Sequence, residues 1–220
     1  MSIAETKNRV FVVAIYGGGD NSLPEAAERV GRLIAEKTNW IVFTGASWPD
    51  RRSSAVKHRA LVGPHDLGRP WMGLPQAKDQ LSDTPDPKGF VFKTPLGHKR
   101  NYLEALLCDG AFAFPGGSGT LSEAVATLCL GKPVILIGDQ QWSGVGPGPD
   151  GRLTAERKAR WIKETHKKFA SEPTMPAIDA LIERDITVEN LNDVERRLGV
   201  MSETELQGAL DKLAGLLGTR

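Results

Sequence analysis

Only two cysteines, Cys108 and Cys129, occur in the 220 residues. They lie far apart and both fall in helical patterns, so neither a disulfide framework nor a zinc-ligand spacing follows from them. An excess of one charge is also missing: 28 Lys and Arg against 27 Asp and Glu leave a formal net charge of +1. That balance gives no reason to expect a nucleic acid or a membrane surface as partner. No apolar run approaches the ~20 residues of a membrane span. The first nine residues are polar and lack an apolar signal core, which makes a reducing cytoplasm the expected compartment.

Motifs are missing too. The chain has no Gly-x-x-x-x-Gly-Lys-Ser/Thr loop, which excludes ATP hydrolysis of the P-loop type. After the first strand candidate stands Gly17-Gly18-Gly19-Asp20-Asn21-Ser22, without the third glycine of the dinucleotide fingerprint, and the second strand candidate ends at Thr44 without a nearby acid. NAD is therefore unsupported. His58, His65 and His166 share no metal-ligand spacing, so no metal is expected, and no Ser-His-Asp arrangement can be argued.

What is present is an alternation of strand and helix patterns. Strands are expected at Val10–Tyr16, Trp40–Thr44, Pro70–Leu74, Gly89–Lys93, Ala111–Phe114 and Pro133–Ile137. A helix after Ser22 has that serine as N-cap, Pro24 in its first turn and Glu25 closing a capping box. Its apolar face is Ala26, Val30, Leu33 and Ile34. Further helices are expected at Ser53–Val62, His98–Asp109 and Leu121–Leu130, with Pro75–Lys88 as loop. In the His98–Asp109 helix, Tyr102, Leu103, Leu106 and Leu107 form the buried side, and Gly110 ends it in a left-handed conformation. Short turns between alternating strands and helices predict a Rossmann-like, doubly wound parallel sheet with helices on both faces. Residues 1–140 make this α/β core, and 141–152 a Gly/Pro-rich loop containing Trp142. Residues 153–220 form a helical C-terminal extension completing the same domain, with helices at Leu153–Phe169, Glu189–Leu198 and Glu203–Leu217 and a last strand at Ile186–Val188.

The richest stretch is Pro115-Gly116-Gly117-Ser118-Gly119-Thr120-Leu121-Ser122-Glu123. A strand feeds a glycine turn that opens a helix, a place where backbone N–H groups approach an anion closely and the helix dipole favours it. The turn Gly17, Gly18 and Gly19 follows another strand. In doubly wound sheets such turns gather outside the carboxyl ends of the strands, where ligands bind. Thr120 and Glu123 also read as a capping box, which by itself explains both residues. Alternatively, Glu123 projects toward the phosphate and stabilises positive charge on a sugar. Arg100 opens a helix against its dipole, a mild local cost that marks it as a candidate site residue. His98 and Lys99 stand beside it, and a surface role explains them equally well.

Residues 97–123 resemble the LOG ("Lonely guy") family and its wider superfamily. That family carries Met-His-x-Arg-Lys, a helix and strand, then Pro-Gly-Gly-x-Gly-Thr-x-x-Glu. Here the second motif is matched throughout and the first at His98 and Arg100, with Gly97 and Asn101 in place of Met and Lys. The resemblance implies a homodimeric Rossmann-like protein that hydrolyses the N-glycosidic bond of a nucleoside 5′-monophosphate to free base and ribose 5-phosphate. It implies Arg100 and Glu123 as the catalytic pair, Gly116, Gly117, Gly119 and Thr120 as the phosphate cradle, and no cofactor. The front half departs from LOG proteins, because Thr44 to Asp50 lacks their glycine-rich loop. Arg100-Asn101 and the terse glycine turn look closer to a related branch that includes molybdenum-cofactor carriers and uncharacterised nucleotide-binding proteins. Two functions are therefore expected from these residues: a phosphoribohydrolase, or a non-catalytic carrier of a nucleotide or other phosphorylated ligand.

Overall fold

The computed structural model of the chain describes residues 10–18, 23–76, 86–137 and 203–218. Six strands are described: β1 (Val12–Tyr16), β2 (Ile41–Thr44), β3 (Trp71–Gly73), β4 (Gly89–Val91), β5 (Gly110–Ala113) and β6 (Val134–Leu136). All their pairings are parallel, in the order β4-β3-β2-β1-β5-β6. The helices are α1 (Pro24–Lys37), α2 (Val56–Arg59), α3 (Val62–Asp66), α4 (Arg100–Leu107), α5 (Ser118–Cys129) and α6 (Glu203–Gly218), and Gly97–Lys99 is a 3-10 turn. This is the Rossmann-like α/β architecture expected. The strand order reverses between β1 and β5, so the carboxyl ends of these two strands form the topological switch point. The expected helices and strand between 141 and 202 lie outside the described residues.

Each face of the sheet has its own core. On one face Val13, Ile15, Val42, Trp71, Phe112 and Ile135 pack with α1, α2 and α6. Leu206, Leu210, Leu213 and Leu217 of α6 are buried there. On the other face Ala14, Tyr16, Phe43, Ala111 and Val134 pack beneath α5, with Leu103 of α4 partly buried against them. The second face thins toward the edge. In the register row Val134–Ala111–Ala14–Phe43–Met72–Phe90, Phe43 is fully buried but Phe90 on β4 is 54% exposed.

Four local expectations are corrected. α1 has its N-cap at Leu23, which makes no side-chain cap hydrogen bond; Pro24, pre-set in φ, starts the helix one residue later than the Ser22 capping box requires. Ser22 itself lies outside the described residues. The expected helix over Ser53–Val62 is two short helices, with Ala60 and Leu61 between them and α3 running on to Asp66.

In α4 the buried residues are Arg100, Asn101, Glu104 and Ala105. Tyr102, Leu106 and Leu107 are 41%, 46% and 44% exposed. The helix turns its polar side inward because its polar groups find partners there, as described below. Gly110 does not end α4. Cys108 closes it in an extended conformation, and Gly110 is the first residue of β5. Lys132 serves the helix end instead, its Nζ donating to the carbonyls of Ala105, Leu106 and Cys108 at 2.9, 2.7 and 2.6 Å. A cation on the last carbonyls satisfies groups that helix geometry leaves open and opposes the negative end of the dipole.

Candidate functional site

The two glycine turns meet at the switch point. Phe114 N–H donates to the Tyr16 carbonyl at 2.8 Å, and one step further Gly18 N–H donates to the Pro115 carbonyl at 3.1 Å. The turns approach so closely that side chains cannot fit between them. A Cβ on Gly18 would lie 3.0 Å from the Gly116 Cα, and one on Gly116 would collide with the Thr120 hydroxyl and the Gly18 nitrogen. Gly17 is at the same place, packed against Val56. Gly117 differs: it is exposed and a Cβ there would meet nothing. Gly19 lies outside the described residues.

The first hydrogen bond of α5 runs from Leu121 N–H to the Gly117 carbonyl, 3.1 Å. The amides of Ser118, Gly119 and Thr120 precede it and have no acceptor within the helix. They stand at the positive end of a helix of 12 residues, the arrangement that binds anions. Thr120 is the third residue of the helix and buried, so it is not the N-cap, and the Thr120–Glu123 capping box is corrected. The tight glycine turn lets the helix begin three residues before the box would start it.

Arg100 begins α4 and reaches the carboxyl edge of the sheet. Its Nη1 donates to the carbonyl of Leu74 after β3 at 2.7 Å and, more weakly, to that of Gly45 after β2 at 3.3 Å. The same nitrogen pairs with Glu104 Oε1 at 2.7 Å. The Arg100 side chain is 9% exposed and that of Glu104 1%, and Arg100 Nε is buried without a partner. Asn101, next along α4, donates to Ser122 Oγ at 2.8 Å. That bond, with Ser122 Oγ donating in turn to the Gly119 carbonyl at 2.7 Å, ties α4 to the opening turn of α5.

Glu123 is 8% exposed. Burial pushes its carboxyl up to about 7, against the opposing pull of Arg100 and of Lys57 from α2. Glu104 is pushed well above the ordinary carboxylate range by burial and then by the charge of Glu123, with Arg100 and Lys57 again opposing. Arg100, Glu104 and Glu123 are therefore buried charges that act on one another, and the partly buried Lys57 acts on both carboxyls. No hydrogen bond or ion pair from the described residues reaches the Glu123 carboxylate.

The structure thus brings Gly17, Gly18, Pro115, Gly116, Gly117, Ser118, Gly119, Thr120, Arg100 and Glu123 to one end of the sheet. His98 lies in the 3-10 turn before α4, and its side chain is outside the described residues. Glu104 and Lys57 escaped the sequence reading. The spacing Arg100-x-x-x-Glu104 carried a signal for the first, since charges four apart on a helix face each other. For Lys57 there was none.

A model of the family described as the SLOG cluster4 family matches residues 10–158. No curated protein matches the chain. Among solved structures, the molybdenum cofactor binding protein of the phototrophic bacterium Rippkaea orientalis is 30% identical, with a TM-score of 0.51. The alignment covers 60% of this chain and 79% of that one. The molybdenum cofactor carrier protein of Chlamydomonas reinhardtii is 23% identical with a TM-score of 0.56, over 94% of this chain and 99% of that one; it shares the fold.

Proposed function

The chain belongs to the SLOG cluster4 family, and from that premise we propose that it binds and carries a small phosphorylated ligand, a nucleotide or a phosphorylated pterin such as the molybdenum cofactor, without cleaving it. The phosphoryl group sits on the Pro115–Thr120 turn. The observation that carries this reading is the start of α5 at the switch point, where three successive amides lack helical acceptors and Gly117 leaves open space above them. The name of the Rippkaea orientalis relative, a molybdenum cofactor binding protein, supports binding over catalysis. So does Arg100, whose Nη1 is committed to two carbonyls and Glu104.

Gly117→Leu tests the seat. The new side chain enters open space, so thermal stability stays near that of the wild type while calorimetric binding of nucleoside monophosphates or the phosphorylated pterin is lost. Undiminished binding in the variant would remove the turn from the site.

The hydrolase is the second reading, favoured by one observation: Glu123 is buried within reach of the charge of Arg100, the two residues of the LOG-type pair. Its test is chromatographic release of free base from nucleoside 5′-monophosphates, abolished in Glu123→Ala. We also propose a homodimer, joined through the outward apolar face of α4.

A further inference from the structure

Glu123 is a buried carboxyl with no hydrogen-bonding partner among the described residues, in a helix whose first turn is the candidate anion seat. It follows Gly119 by four residues, so the two share one face of α5, and helical side chains lean toward the N-terminus. Its carboxyl therefore rises toward the turn. Two facts bear on what it does there. Arg100, the cation that would ordinarily balance it, spends Nη1 on Leu74, Gly45 and Glu104. A second buried carboxyl, Glu104, shares the cluster. An ionised Glu123 beside a phosphoryl group would add like charge, and because its own carboxyl is shielded from water the repulsion is strong. A protonated one has a hydrogen to donate and no acceptor among the described residues.

We propose that Glu123 contacts the ligand as a neutral acid, donating its proton in a hydrogen bond to an anionic phosphoryl oxygen seated on the Pro115–Thr120 turn, so that anion binding takes up a proton from solution. This rests on the reading of that turn as a phosphoryl seat. No bond is broken; the proton moves from water to the Glu123 carboxylate and stays there while the ligand is bound. The charged or titratable groups facing it are Arg100 and Glu104 from α4 and Lys57 from α2; β1 contributes Tyr16, and β5 and β6 contribute none. The free carboxyl is half protonated near pH 7, so it must gain its proton when an anion binds above that pH. Affinity then rises as pH falls and levels off once the free protein is already protonated.

Adenosine 5′-monophosphate is a suitable probe, because its phosphate is fully ionised well above its second pKa of about 6. Titration calorimetry between about pH 7.5 and 9, in buffers of different ionisation enthalpy, reads both affinity and protons taken up. The expected result is a roughly twentyfold loss of affinity over that span, with uptake close to one proton per ligand bound. Glu123→Gln keeps a donor and removes the titration, so it should bind with an affinity independent of pH and take up no proton. Glu104→Gln should keep the uptake. Binding by the wild type with no proton uptake would overturn the proposal and leave the carrier reading standing. Uptake lost in Glu104→Gln and kept in Glu123→Gln would overturn it too, moving the proton to Glu104. If neither adenosine 5′-monophosphate nor inorganic phosphate binds at millimolar concentration, the phosphoryl seat itself falls and the proposal with it.

Discussion

Arg100 is held by three acceptors drawn from three parts of the chain: the ends of β2 and β3, and Glu104 one turn along α4. A guanidinium this buried is tolerated only when paired, because removing one partner leaves an uncompensated charge away from water. Glu104→Ala is therefore expected to destabilise the fold by about 3–5 kcal/mol, measured as a shift in urea midpoint at unchanged slope. A loss below about 1 kcal/mol, as for an exposed pair, would mean that the pair is not structural. Arg100 was legible as a residue working against its helix dipole. Its partner was not, because a Glu four residues after an Arg is equally the mark of a solvated helix face. Burial alone separates the two cases, and burial is a property of the neighbours.

At the scale of elements, the strands and the glycine turns were readable because their causes are local: β-prone apolar runs, and glycines where a chain must turn tightly. How α4 faces and ends was not. Counting Tyr102, Leu103, Leu106 and Leu107 as its inner side is the usual inference from amphipathic spacing. It holds for Leu103 and fails for the other three, because Asn101 bonds to Ser122 and Arg100 to strand ends, which hold the polar side against the sheet. Its C-terminus depends on Lys132, 24 residues beyond Cys108, where no local signal reaches. Lys132→Ala should cost about 1.5–3 kcal/mol, the worth of hydrogen bonds to a charged group. Amide exchange should also quicken in the last turn of α4. Unchanged exchange there would show that water replaces the ammonium without loss.

For the whole molecule, the inversion of α4 has an outward consequence. Its Tyr102, Leu106 and Leu107 are exposed, and an apolar helix face left to solvent marks an interaction surface. The proposed homodimer buries this face against its twin in a second copy, a self-complementary contact about a two-fold axis. Light scattering should find a dimer in the wild type and a monomer in the double variant Tyr102→Glu, Leu106→Glu, with the circular dichroism spectrum preserved. A wild-type monomer would remove the interface. The strand order β4-β3-β2-β1-β5-β6 puts both glycine turns at its point of reversal, and that meeting is what turns two separate tight bends into one candidate seat. From the amino-acid sequence alone came the alternation of strand and helix, the two glycine turns and the family motif, because each depends on residues adjacent in the chain. Tertiary structure alone decided which side of α4 is buried, that Arg100 is tied to strand ends, and that two carboxyls share one cluster. The physical reason is that desolvation and charge pairing depend on which groups are neighbours in space, and here those neighbours come from segments far apart in the sequence.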